Sequence, residues 1–365
     1  MAHVFKAHLV KPDGRALWLY ARQPFDAGAF APSPSEQRVT GNSHLRWHPL
    51  RGEWIAYASH RQHRTFLPPP EWNPLAVTVD PAAPTELPPG PWEVAVFENM
   101  FPTLSASPGE PPETIVATRP GVGSCEVVVF TQDAHASLGR LSLDRLALIV
   151  DVWADRYVQL GAREDVAYVF PFENRGVEVG VTLHHPHGQI YGYPFVPPVA
   201  LRELAQQRAF LEQHGRGLIE DLLAHELEDD ARRVLYNGEQ VVALVPVCAR
   251  YPYEVWIAPR RPAPSLEALT SSERRDFARA LKIVLLKYDG LWQKPFPYIM
   301  AFHQAPTDGE PHPEAHVHVE FYPAYRMPNR LKYLAGSESG AGVFTADTLP
   351  EDTAAQLRAV EVPDV

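Results

Sequence analysis

Two well-separated stretches carry apolar residues at three- and four-residue steps. Leu143, Leu146, Ile149, Val150, Trp153 and Tyr157 give one buried face to a helix over residues 142 to about 160, with Ser142 as a good N-cap. Phe277, Leu281, Val284, Leu285 and Tyr288 do the same over residues 271 to about 292. A third helix is predicted over 199–225, after the break at Pro197-Pro198, and a final surface helix within 345–365. Shorter apolar runs read as strands: 94–99, 126–131, 168–172, 177–181, 241–246, 254–259 and 298–302. Near the N-terminus, Pro12-Asp13-Gly14 is a turn signal between two such runs, 5–10 and 16–20, and predicts a hairpin. A turn at 48–53 leads into another strand.

The order of these elements repeats. Ser137-Leu138-Gly139-Arg140-Leu141-Ser142 precedes the first periodic helix, and Ser265-Leu266-Glu267-Ala268-Leu269-Thr270 precedes the second. Each helix leads to an aromatic strand, and each half then reaches a His-x-His strand. The period is too long for a solenoid. It predicts an α+β fold of two duplicated halves, antiparallel sheet covered on one side by helices. We expect an N-terminal extension over 1–43, an N-terminal half over 44–198, a C-terminal half over 199–345 and a tail over 346–365. The extension reads as an added edge hairpin or an interface arm.

Composition narrows the function. With 365 residues and 45% hydrophobic content the chain can bury a large core. Its 38 prolines gather at 68–70, 81–91 and 102–120, which reads as long ordered loops. A net charge of −11 argues against nucleic acid as a partner, and an anionic ligand would need a local basic patch. The two cysteines, Cys125 and Cys248, make no disulfide framework and fit a reducing cytoplasm. No run is long and apolar enough for a signal peptide or a membrane span, so no membrane partner is expected.

The chemistry concentrates in His184-His185-Pro186-His187-Gly188-Gln189. In an extended chain alternate residues share a face, so His185, His187 and Gln189 project together. That set suits metal binding, or phosphoryl handling by a nucleophilic imidazole with an amide donating to the oxygens. A solvated turn is the plain alternative for any lone His-x-His. The longer string is more specific, and a second pair, His316-Val317-His318, lies downstream.

These residues resemble the active-site motif of the galactose-1-phosphate uridylyltransferase family, transferases of the histidine triad superfamily. Asn174-Arg175-Gly176, Phe296-Pro297-Tyr298 and His303 extend the match over roughly residues 44 to 338. The resemblance implies transfer of UMP from UDP-glucose to galactose 1-phosphate, giving UDP-galactose, through a covalent uridylyl-histidine. It makes His187 the nucleophile, with Gln189 donating to the phosphoryl oxygens and His185 supporting the loop. Arg61 and Arg64 would meet the nucleotide phosphates, Phe97 and Asn99 the uracil and ribose. Met100 stands where the family has Asp. Asn174 and Thr182 belong to the substrate site, Lys332 to a phosphate and Glu338 to the hexose hydroxyls. Glu203, His303, His316 and His318 match a metal site of the family, for iron or zinc. A second family site, for zinc, uses Cys-x-x-Cys where this chain has only Pro68 to Ala76. Of its histidines His185 is kept and His135 falls one residue out of step. We therefore expect that site to be lost, with Trp72 and the prolines packing in its place. A homodimer is expected, as is common in the family.

Three other readings share these residues. A sister enzyme, an ADP-glucose or dinucleoside polyphosphate phosphorylase, would keep His187 and Gln189 and differ near Phe97 and Asn99. A non-catalytic metal- or nucleotide-binding protein would use the histidines as ligands only. Plain nucleotide hydrolysis is disfavoured by Gln189, which activates water poorly.

Overall fold

The computed structural model describes residues 4–27, 30–37, 42–63, 67–228, 230–363 and 365. The hairpin predicted at the N-terminus pairs β1 (Phe5–Val10) with β2 (Ala16–Ala21), its turn closing at Gly14, where φ is +81°. β3 (His44–His48), β4 (Glu53–Tyr57) and the later β6 (Thr118–Pro120) form a small separate sheet. The first half supplies β5 (Val94–Glu98), β7 (Ser124–Val129), α1 (Leu143–Gly161), β8 (Tyr168–Arg175) and β9 (His187–Tyr193). Next come α2 (Pro198–His214) and α3 (Leu218–Glu228). The second half follows with β10 (Val234–Asn237), β11 (Val241–Leu244), β12 (Val255–Pro259), α4 (Ser271–Leu291), β13 (Tyr298–His303) and β14 (His318–Pro323). A two-stranded ribbon, β15 (Tyr325–Met327) with β16 (Arg330–Leu331), and α5 (Pro350–Arg358) complete the chain.

The duplication shows in the sheet. One antiparallel sheet of eleven strands runs β1-β2-β5-β7-β9-β8-β13-β14-β12-β11-β10. Four strands of the first half, β5-β7-β9-β8, meet their counterparts in mirrored order, β13-β14-β12-β11. The seam is β8 against β13, with Asn174 opposite Ile299 and Phe172 opposite Ala301. Helices α1 and α4 pack side by side on one face. There Leu146, Trp153, Phe277 and Leu281 join Val96, Ile190, Phe302 and Val319 in one buried cluster. Since alternate strand residues point oppositely, His187 and Gln189 on β9 fall on the face away from the helices, as His318 and Glu320 do on β14.

Both periodic helices start where their caps dictate. The Ser142 side chain accepts from the Arg145 amide. Thr270 and Glu273 form a reciprocal capping box on α4. Three expectations need correction. The run 177–181 is not a strand. Gly176 and Gly180 hold φ of +98° and +81°, which ends the ladder and leaves a single 3-10 turn, Val177–Val179. The helix predicted over 199–225 is two helices, because Gly215 adopts φ +69° and closes α2 with a bond from its amide to the Leu211 carbonyl. The C-terminal helix is not merely on the surface: Ala354 and Leu357 are fully buried in the main cluster. The short β10 was not foreseen.

The extension is an edge hairpin, and it is tied down. β2 pairs with β5, Leu17 opposite Phe97. Arg15 bonds the Asp13 carboxylate at 2.7 Å and the Glu98 carbonyl at 2.9 Å. Lys11 is buried against Glu86, and burial pushes its ammonium down to about 8. Among the described residues no helix is long and apolar enough to cross a membrane.

Candidate active site

His187 opens β9, directly after the loop that Pro186 ends. Its Nδ1 lies 2.7 Å from the His185 carbonyl. A carbonyl only accepts, so Nδ1 carries the proton and Nε2 keeps its lone pair. Burial holds the ring below its ordinary pKa, so it is neutral at pH 7. Gly188 faces the core: a Cβ there would meet the Phe130 ring at 2.8 Å and the Phe172 carbonyl at 3.0 Å. Only glycine lets the strand lie this close while its neighbours stay on the open face.

His185 is fixed at both ring nitrogens. Nε2 bonds the Thr131 carbonyl at 2.7 Å, and Nδ1 lies 2.9 Å from the Asn73 amide nitrogen. Burial lowers its pKa. Both of its ring nitrogens are therefore engaged within the protein. Asn73 lies in the segment where sequence reasoning expected Trp72 and the prolines to pack. That expectation is corrected, since Trp72 is 75% exposed and it is Asn73 that reaches inward. Its only sequence signal was a lone amide in a proline-rich loop.

A cavity of about 430 Å³ is lined by Asn174, Arg175, Leu183, His185 and His187, by Arg140, and by Asp289 and Lys294 near the end of α4. Arg175 makes a paired contact with Asp289, at 2.7 and 3.1 Å. Glu173 also lines it; burial pushes that carboxyl up to about 7, against a bond donated by Tyr298 at 2.8 Å. The structure thus brings Asn174, His185 and His187 together. Gln189 is two residues along the open face and outside this lining. The Thr182 carbonyl accepts from the Leu67 amide at 2.8 Å. Arg61 and Asn99 converge on Phe101, Arg61 donating to its carbonyl at 2.6 Å and Asn99 accepting from its amide at 2.8 Å. Phe97 is 2% exposed, packed with Leu17, Val127 and Val129 beneath Lys11. Arg64 lies outside the described residues.

The second constellation sits on the same sheet face across the seam. Glu203 of α2 reaches His303 Nδ1 at 2.6 Å, and the His303 and His318 rings stack at 5.0 Å. Glu203, His303 and His318 each offer a ligand atom within 4.8 Å of the others. His316 stands outside that trio but lines the same small cavity. Its Nε2 bonds the Pro259 carbonyl at 2.8 Å, while its Nδ1 is buried with no hydrogen-bond partner among the described residues. An orphaned imidazole nitrogen in a cavity that also holds a carboxylate and two further imidazoles suits a divalent metal ion. Glu320, which sequence reasoning missed, is buried 3.7 Å from His318 Nε2 and takes bonds from Arg250 at 2.8 Å and Tyr322 at 2.5 Å. The signal was its place two residues past His318, where Gln189 follows His187.

Lys332 and Glu338 also meet, 3.2 Å apart, with Asp347 3.3 Å from Lys332. They line a separate cavity of about 810 Å³ with Arg326, Tyr333 and Glu178. Among the described residues it shares no lining residue with the His187 cavity.

Against known proteins, residues 34–197 match the family model for the galactose-1-phosphate uridyl transferase N-terminal domain, and residues 203–364 the C-terminal domain of the same family. The chain is 38% identical to a galactose-1-phosphate uridylyltransferase of Thermotoga maritima, over 87% of this chain and 98% of that one. It is 36% identical to one from Streptomyces lividans, over 97% and 96%. A solved uridylyltransferase structure superposes with a TM-score of 0.77 at 34% identity, covering 87% of this chain and 98% of that one. An ADP-glucose phosphorylase from Arabidopsis thaliana shares the fold, with a TM-score of 0.65 at 22% identity over 87% of this chain and 99% of that one.

Proposed function

The chain belongs to the galactose-1-phosphate uridyl transferase family, and from that premise we propose that His187 is the residue on which the nucleotidyl group rides. The enzyme moves UMP from UDP-glucose to galactose 1-phosphate, yielding glucose 1-phosphate and UDP-galactose. In the first half-reaction His187 Nε2 attacks the α-phosphorus. A P–N bond forms, the P–O bond to the β-phosphate breaks, and glucose 1-phosphate leaves as the dianion's oxygen takes the electron pair. In the second, a phosphate oxygen of galactose 1-phosphate attacks the same phosphorus and the P–N bond breaks. The Nδ1 hydrogen bond to the His185 carbonyl is the observation that carries this reading. It presents the unprotonated Nε2 to the substrate and stabilises the charge that develops on the ring. Gln189 donates to the phosphoryl oxygens without offering a proton or a base for water. Asn174, which lines the cavity, and Thr182 contact the substrate, and Arg61, Arg64 and Asn99 serve the nucleotide.

Glu203, His303, His316 and His318 are the residues that would hold a divalent zinc or iron ion. The ion would supply cross-linking: it would bind α2 to β13 and β14 and take up the orphaned His316 nitrogen. The transfer steps run without it. Because Lys332 and Glu338 line a cavity apart from His187, a second copy of the chain is the natural source of the hexose contacts, and the enzyme works as a homodimer. The halves 44–198 and 199–345 then have separate duties, one catalytic and one metal-holding.

The test is labelling with UDP-glucose carrying 32P at the α-position. Wild-type protein and, to a lesser extent, His185→Ala should retain label, and His187→Ala none. Equal retention by His187→Ala and wild type would remove the nucleophile assignment. ADP-glucose in place of UDP-glucose should label poorly.

A further inference from the structure

The loop over residues 70–76 reaches the segment just before β9 through the Asn73 side chain. Asn73 Oδ1 accepts from the Leu75 amide at 3.0 Å, which fixes the orientation of its amide group. Nδ2 is then the end that faces His185 Nδ1, 2.9 Å away. On the far side of the same ring, Nε2 must donate, because its partner is the Thr131 carbonyl. Donor and acceptor roles are therefore consistent all along the line, from Leu75 through Asn73 to His185 and Thr131. Neither charge nor metal is needed to satisfy the ring. His185 is 3% exposed, and its main-chain carbonyl accepts the hydrogen bond that His187 Nδ1 donates.

We infer that Asn73 is a positioning residue for the transfer reaction: it clamps the His185 ring, and through it the carbonyl that orients His187. The inference rests on His187 being the nucleophile. A carbonyl free to drift would let the His187 ring rotate away from the line of attack, and misplacement by about 1 Å can cost roughly 100-fold in rate. A neutral amide suits the position. An acid at 73 would instead accept from Nδ1, leaving both nitrogens of His185 protonated and a cation beside the nucleophile. Substrate binding does not pass through Asn73, so its loss should appear in kcat and in the rate of labelling rather than in KM.

The experiment combines single-turnover labelling with nitrogen NMR of the full-length enzyme, 15N-labelled at histidine. Asn73→Ala should still take up label to full stoichiometry, but about 10- to 100-fold more slowly. Its KM for UDP-glucose and its thermal midpoint should stay close to the wild-type values. Asn73→Asp should be slowed as well, with His185 showing imidazolium shifts at pH 7. Wild-type His185 should show a protonated Nε2 and an unprotonated, hydrogen-bonded Nδ1. Labelling of Asn73→Ala at the wild-type rate would overturn the inference. So would a wild-type His185 whose Nδ1 is protonated or holds zinc, a result that stands even if the variants do not fold. A wild type that takes no label at all marks the separate failure of the nucleophile assignment.

Discussion

β9 and β14 are two copies of one device put to different uses. In each, the second histidine lays Nδ1 on the carbonyl two residues back, His187 on His185 at 2.7 Å and His318 on His316 at 2.9 Å. In each, the first histidine lays Nε2 on a carbonyl at the end of the neighbouring strand, Thr131 or Pro259. The backbone therefore fixes the same tautomers twice. What differs is the company. Counted from the registers Phe172 with Gln189 and Ala301 with Glu320, Asn174 lies across from His187 where His303 lies across from His318. Gln189 stands where the second half has Glu320, and Asn73 satisfies the nitrogen that is orphaned in His316. Amides around the first pair leave the His187 imidazole uncharged, and its Nε2 is the atom that we propose attacks phosphorus. Carboxylates and a third imidazole around the second pair make a nest for a cation.

The contrast can be broken by exchanging its parts. Replacing His187 by Ala should abolish transfer, while His318→Ala should leave the covalent label on His187; turnover assays and labelling check both. Gln189→Glu copies the second half into the first. The carboxylate repels the phosphoryl oxygens in place of donating to them, and kcat should fall by about 100- to 1,000-fold. On the other side, Glu320→Gln should weaken the metal by about 10- to 100-fold, read by competition with a chelator. Chelation itself should lower the thermal midpoint.

The smallest test concerns the two helices. α4 has a full capping box and α1 only the Ser142 bond. Thr270→Ala and Ser142→Ala should each cost about 1 kcal/mol in urea unfolding, with Thr270→Ala the larger. pH separates them further. Arg261 and the Thr270 backbone amide hold Glu273 down at about 2, below its ordinary 4.5. A carboxylate whose folded pKa is depressed contributes stability that is full above 4.5. That contribution fades as pH falls through this window toward 2. The penalty for Thr270→Ala should shrink across that range, and the penalty for Ser142→Ala should not.

Much of this was legible in the chain. Ser142 and Thr270 start helices where a hydroxyl precedes a three-four apolar step, a signal wholly local. The His-Pro-His-Gly-Gln string is local too. The failures have physical causes. Val177, Val179 and Val181 alternate like a strand, but positive φ at Gly176 and Gly180 overrides the pattern. Gly215 divides a helix whose apolar face continues past it. Asn73 and Glu320 were missed because their meaning depends on contacts the sequence does not pair: Asn73 lies 112 residues from His185. Glu320 gains its role only beside His303 and Arg250. Phe97 reads in isolation as an ordinary strand residue, and only the family resemblance makes it a base contact; in the fold it lies beneath Lys11 of the N-terminal hairpin.

The most direct measurement is phosphorus NMR of the enzyme trapped with UDP-glucose in the absence of acceptor, with peptide mapping of the product. A phosphoramidate on Nε2 of His187 is the expected result, because the His185 carbonyl already occupies Nδ1. A phosphoramidate on Nδ1, or a label on any other residue, would contradict the account.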